Sequence, residues 1–181
     1  MNTEVLRTAR LLLREFDAAD AAMVCQMLNE PAYVGNIRDA LVRTPEQAAR
    51  FIAERLRSTY SRPGYGFWAV QRLADGAVLG LCGIIHREGL PCPDLGYALL
   101  RQHWGQGYAR EAARACVQHA DTVLQLPRLL ATTKPENHTS QRLLLDLGFV
   151  DLGQQQTEAH PDGPSQLFER QHPRTQGRPG S

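Results

Sequence analysis

Long apolar runs are missing from this 181-residue chain. No stretch approaches the roughly 18–20 consecutive apolar residues that a membrane-spanning helix needs, so no membrane partner is expected. A surplus of one charge is missing too. Twenty Lys and Arg stand against 19 Asp and Glu, for a net charge of +1. That balance offers nucleic acid no basic surface to meet. Cysteine is scarce. Cys25, Cys82, Cys92 and Cys116 include no CxxC pair, which argues against a disulfide scaffold or a zinc site and for a reducing compartment. The six histidines, at 86, 103, 119, 138, 160 and 172, show no HxxxH spacing, and no metal is expected. The opening MNTEVLRTAR lacks the apolar core of a secretory signal, so a cytoplasmic location is expected. Internal repeats and low-complexity tracts are absent as well.

What is present is an ordinary globular composition, 43% hydrophobic and 22% charged, long enough for one domain with a real core. Residues 1–170 are expected to form that domain and 171–181, polar with Pro and Gly, a loose tail. Thr8 to Phe16 is leucine-rich and reads as a strand. Asp17 follows as an N-cap for a helix over Ala18 to Leu28, which Asn29 to Pro31 ends. Thr44-Pro45-Glu46-Gln47 is a capping signal with proline at the first helical position. Ala48, Phe51, Ile52, Leu56 and Thr59 then share one helical face.

Beyond the break at Ser61 to Gly64, strands are expected at Gly66 to Arg72 and Val78 to His86, joined by an Asp75-Gly76 turn. A further strand spans Asp94 to Leu100. A helix runs from about Tyr108 to Leu124, with an apolar stripe that includes Ala112, Ala113, Cys116 and Ala120. Cys82 and Cys116 read as small core residues. Leu129 to Thr133 is a short strand, His138 to Leu147 a helix with Gly148 as its cap, and Phe149 to Gln155 and Gln166 to Arg170 a closing strand pair. The order is β-α-α-β-β-β-α-β-α-β-β, a mixed sheet covered by helices.

The stretch QHWGQGYARE, Gln102 to Glu111, sits where a strand gives way to a helix. The first turn of a helix has unpaired N–H groups and the positive end of the dipole, and glycine lets an anion approach the bare backbone. That chemistry suits a phosphate, and equally a turn that needs positive φ. The stretch lacks the Lys-Ser/Thr of a Walker loop and is not placed as a dinucleotide fingerprint is.

Its context extends the reading. Gln102-x-x-Gly105-x-Gly107-x-Ala109 follows a strand, and about thirty residues later Asn137-x-x-Ser140 opens a helix that ends Leu147-Gly148-Phe149. This arrangement resembles the GNAT acyltransferases that use acetyl-CoA. TARLLLREFDAADA, DLGYALL with HWGQGYAREAA, and KPENHTSQRLLLDLGF are similar to signatures of the RimJ/RimL-type branch. The resemblance covers roughly residues 6 to 170. It implies an α/β (α+β) GNAT fold: a mixed, mostly antiparallel, twisted sheet of about six to seven strands, splayed in the middle and flanked by about four helices.

The resemblance also implies roles. Gln102 and the segment Gly105, Gln106, Gly107, Tyr108, Ala109 and Arg110 would hold the CoA pyrophosphate through backbone amides, with Trp104 packed beside them. The Leu99 amide and carbonyl would face the pantetheine arm, and the Tyr97 amide the thioester oxygen, as an oxyanion donor. Asn137 would bond the pantetheine arm and also suits capping of the next helix. Ser140 would stabilise the departing thiolate. The attacking amine must be neutral, so a base or a water chain must take its proton. Asp94, before Gly96-Tyr97, is the leading carboxylate, shorter than the usual glutamate; Glu169, His86 and His160 are lesser candidates.

The expected partners are acetyl-CoA and an amine acceptor, a ribosomal-protein N-terminus among the options, with the chain a monomer or homodimer. Glu30 to Thr44, with Tyr33, Arg38 and Asp39, and Gln156 to Gln166 would shape the acceptor site. No cysteine matches a nucleophile position, so direct attack in a ternary complex is expected rather than an acetyl-enzyme. The other readings are a non-catalytic acyl-CoA-binding module and a nucleotide-binding domain.

Overall fold

A computed structural model describes residues 3–157 and 160–173. One eight-stranded sheet, in the order β1-β2-β3-β4-β5-β6-β8-β7, carries helices on both faces. Its strands are β1 (Glu4–Arg7), β2 (Leu11–Arg14), β3 (Gly66–Arg72), β4 (Val78–Ile85), β5 (Asp94–Leu99), β6 (Arg128–Thr133), β7 (Val150–Thr157) and β8 (His160–Gln171). The helices are α1 (Ala21–Asn29), α2 (Pro31–Asn36), α3 (Pro45–Phe51), α4 (Tyr108–Thr122) and α5 (His138–Asp146). The tail expected from 171 falls mostly outside the described residues, β8 running to Gln171.

Local chemistry explains most boundaries. Asp17 accepts from the Ala19 amide at 2.8 Å and forms a capping box with Asp20 around a 3-10 turn, which leads into α1. Thr44 and Gln47 form a second capping box with Pro45 at the first helical position. The helix beyond them is α-helical to Phe51, widens to π spacing over Ile52–Leu56, and tightens to 3-10 over Arg57–Ser61. Its expected face is buried at Ala48, Ile52 and Leu56. Proline has a second use at position 31. It was expected to help end the preceding helix, yet it is also the first residue of α2. Leu147 closes α5, with Gly148 following at φ 85°.

Two cores lie on opposite faces of the sheet. One packs α4 and α5 against Leu13, Trp68, Leu95 and Leu99; the other packs α1 and α3 against Ala69 and Leu81. Cys82 and Cys116 are buried in the first core as free thiols, their sulfurs 3.5 Å apart.

One junction in the sheet is nearly unmade. β5 and β6 run parallel and pair only at Asp94 and Leu130, where the Leu130 N–H donates to the Pro93 carbonyl at 2.9 Å. Beyond that rung the strands part. On its other side β5 pairs fully with antiparallel β4. Leu99 stands opposite Gly80, and the Leu100 N–H donates to the Leu79 carbonyl at 2.9 Å. Antiparallel alternation therefore turns the N–H and C=O groups of Leu99, and of Tyr97 two residues back, away from β4 and toward the gap.

Candidate active site

The gap ends at the glycine loop. Gly105 and Gly107 adopt φ of 73° and 79°, left-handed values that disfavour L side chains. Gly107 is the N-cap of α4, and no side chain caps that 15-residue helix. Its first N–H groups are thus left without a side-chain acceptor at the positive end of the dipole. A Cβ built on Gly105 would meet nothing within 4 Å, so the loop borders open space. The donors, the dipole and the room together fit a phosphate-bearing ligand.

The loop is braced by a residue that sequence reasoning missed. Arg10 donates to the Gln106 carbonyl at 3.0 Å and to Glu111 at 2.7 Å, and its guanidinium lies 4.5 Å from the centre of the Tyr108 ring. Glu111 also accepts from the Thr8 hydroxyl and the Arg10 amide. Burial pushes its carboxyl up, and these donors more than reverse that, so its pKa lies below the ordinary glutamate value. A guanidinium thereby stands beside the loop. No periodicity signals a contact between residues 96 positions apart.

The other residues expected at the loop differ in exposure. Gln102, Gln106 and Arg110 are exposed, Ala109 is half-buried, and Tyr108 is buried. The Arg110 guanidinium pairs with Asp146 at the surface, which leaves its amide, in the first turn of α4, as its contribution at the loop. Trp104 is 47% exposed, and its indole N–H donates to the Leu99 carbonyl at 2.8 Å. Of the two Leu99 groups turned to the gap, the carbonyl is therefore held by Trp104 and the amide remains.

Alternation along β5 separates two kinds of chemistry. Tyr97 projects to the α4/α5 face and Asp94 to the face of α1 and α3. The Tyr97 phenol crosses to the first turn of α5, where it lies 2.7 Å from the Ser140 hydroxyl and 3.2 Å from the Ser140 carbonyl. Burial raises the pKa of this phenol far above its ordinary value, so it stays protonated and able to donate. Asn137 caps α5: its Oδ1 accepts from the Ser140 amide at 3.2 Å, and its Nδ2 hydrogens are not used in that cap.

Asp94 is 0% exposed and paired with Arg87, at 2.7 Å from Nη2 to Oδ2 and 3.3 Å from Nε to Oδ1. Burial raises its pKa, and Arg87 opposes that rise. Next to it, the Phe67 ring packs over Gly96 so closely that a Cβ there would come within 2.7 Å. Tyr33 on α2 packs into the same core, and its phenol is raised by burial and lowered by Arg38 and Arg87. Asp39 is engaged by Arg43. Of the lesser base candidates, Glu169 pairs with Arg128 at 3.2 Å and His86 is exposed near Asp94. The His160 side chain lies outside the described residues, as does part of the Gln156 to Gln166 segment. Among the described residues no three His, Cys, Asp or Glu side chains gather as metal ligands, and no helix is long and apolar enough to cross a membrane.

A strand edge that opens toward a glycine loop at a helix N-terminus is thus the geometry of the candidate site. Residues 10–150 match the acetyltransferase (GNAT) domain family. The chain belongs to that family and is an acyltransferase. It is 31% identical over 152 residues to p20, an uncharacterized N-acetyltransferase of Bacillus licheniformis, across 83% of this chain and 84% of that one. The crystal structure of an acetyltransferase from Agrobacterium tumefaciens superposes with a TM-score of 0.75 at 25% identity, over 92% of this chain and 94% of its own. RimL, a ribosomal L7/L12 alpha-N-protein acetyltransferase in complex with coenzyme A, superposes with a TM-score of 0.77 at 14% identity, over 93% and 98%. At that identity the likeness is one of fold.

Proposed function

We propose that this protein transfers the acetyl group of acetyl-CoA to a primary amine by direct attack in a ternary complex, as a RimJ/RimL-type member of its family. The observation that carries the reading is the single-rung junction of β5 and β6, which leaves backbone groups of Tyr97 and Leu99 facing a gap that leads to the glycine loop. Acetyl-CoA supplies the acetyl group as a thioester, with its pyrophosphate at the amides of Gly105 to Arg110 and Arg10 alongside. The Leu99 amide and the Nδ2 group of Asn137 serve the pantetheine arm.

The Tyr97 N–H donates to the thioester oxygen, where negative charge grows as the amine attacks. The amine nitrogen bonds to the carbonyl carbon, the C–S bond breaks, and the electron pair leaves on sulfur. Ser140 donates a hydrogen bond to that thiolate. The amine's proton passes toward Asp94, whose enclosure beneath Arg87 favours relay through water over direct contact. The acceptor approaches on the Asp94 face, between Tyr33 and Phe67. The amine of a protein N-terminus, the acceptor of the structural neighbour RimL, and small primary amines are the two acceptor classes. The test is release of free CoA thiol from acetyl-CoA across a panel of N-terminal ribosomal peptides, polyamines and amino acids. Acceptor-dependent release is expected; tight CoA binding with no turnover on any amine would contradict the reading.

A further inference from the structure

We propose that the Thr133 hydroxyl is a contact for the acyl-pantetheine arm, donating a hydrogen bond to one of its carbonyl oxygens. This rests on the reading of the β5–β6 gap as the acetyl-CoA channel. Thr133 is the last residue of β6 and is 9% exposed. Among the described residues, its Oγ1 is the buried side-chain oxygen or nitrogen that finds no hydrogen-bond partner. A buried hydroxyl with nothing to bond is costly, whereas a valine of the same shape would carry no such penalty and suits a strand as well.

Its position says what meets it. Ala131 and Leu129, two and four residues back on β6, belong to the core beneath α4 and α5. Alternation sends Thr133 to that same face. The register of Asp94 against Leu130 brings Thr133, three residues on, level with Tyr97, three residues on along β5. The two would be neighbours had the strands stayed paired. Instead they stand on opposite walls of the gap, with the Tyr97 phenol turned to Ser140. A ligand that enters between separated strands at this level must be narrow, extended and able to accept a hydrogen bond. An amide- and thioester-bearing arm meets all three conditions. The Tyr97 wall offers it an N–H, and the Thr133 wall offers it an O–H.

The test is Thr133→Val in the full chain, followed by thermal melting and by calorimetry with acetyl-CoA and with CoA. The melting temperature is expected to hold or rise, because no bond within the protein is lost, while acetyl-CoA affinity falls about fivefold. An equal fall for CoA assigns the contact to an amide carbonyl of the arm; a fall for acetyl-CoA alone assigns it to the thioester carbonyl. Thr133→Ser, which keeps the hydroxyl, should restore affinity. Unchanged affinity for both ligands would overturn the proposal, most plainly if the melting temperature also dropped, since the hydroxyl would then serve the fold. Failure of the unaltered protein to bind acetyl-CoA would instead remove the channel reading itself, and the contact with it.

Discussion

The Tyr97 phenol and the Ser140 hydroxyl, 2.7 Å apart, join β5 to the first turn of α5 beside the place where β5 and β6 separate. The phenol stays protonated because burial disfavours its anion. In the proposed reaction, with the phenol donating, the serine's own proton would point at the sulfur, and donation into the serine oxygen would strengthen that bond. Tyr97→Phe and Ser140→Ala should each lower kcat about tenfold, the equivalent of about 1.4 kcal/mol, with a smaller change in the KM for acetyl-CoA. The double variant should be little slower than Ser140→Ala alone. Multiplying losses in steady-state kinetics would show that the two residues act independently.

Gly107→Val tests the phosphate end. The residue sits at φ 79°, and its Cβ would lie 3.4 Å from the Arg10 guanidinium. Strain of about 1–3 kcal/mol is expected, which a folded domain can absorb. CoA affinity by calorimetry should fall at least about tenfold as the loop amides are displaced. Retained affinity in a folded variant would place the pyrophosphate elsewhere.

Asp94 predicts a pH dependence. Burial raises its pKa above the ordinary 3.8, and a base works only when deprotonated. The rate should therefore fall as pH drops through a value above the ordinary aspartate pKa. Asp94→Asn should remove that limb from the profile of kcat/KM and lower its plateau by about a hundredfold or more. A full rate in this variant, checked for folding by thermal melting, would assign the proton to another acceptor.

Stability rests elsewhere. Arg14 holds Asp20 through two 2.8 Å bonds and also bonds Gln71 at 2.6 Å, with both ion-pair partners buried. Asp20→Ala strands the guanidinium and removes the carboxylate that also accepts from the Asp17 amide. A loss of about 3–5 kcal/mol in denaturant unfolding is expected, with CoA affinity unchanged in the folded fraction. A loss below about 1 kcal/mol would show that Arg14 finds water or another acceptor.

What the sequence made legible follows physical range. β3, β4, β5 and α4 were readable because their periodicity and turn residues are local; β3 lies where Gly66 to Arg72 placed it. The four-residue edge strand β1 carries no comparable pattern, and α2 hid behind a proline read as a terminator. At the site, the glycines and Asn137 announce themselves by type and spacing. Arg10 at Gln106, Tyr97 at Ser140 and Trp104 at Leu99 do not, because each contact depends on where the chain returns or how a loop folds back. The partnerless Thr133 hydroxyl is visible only once its surroundings are packed.

The central claim is that the glycine loop and the open edge of β5 form a site for acetyl-CoA. Titration calorimetry of the full chain with acetyl-CoA, ATP and NAD tests it most directly. Acetyl-CoA should bind with one site per chain and at least about tenfold more tightly than either nucleotide. Tighter binding of ATP or NAD would contradict the account.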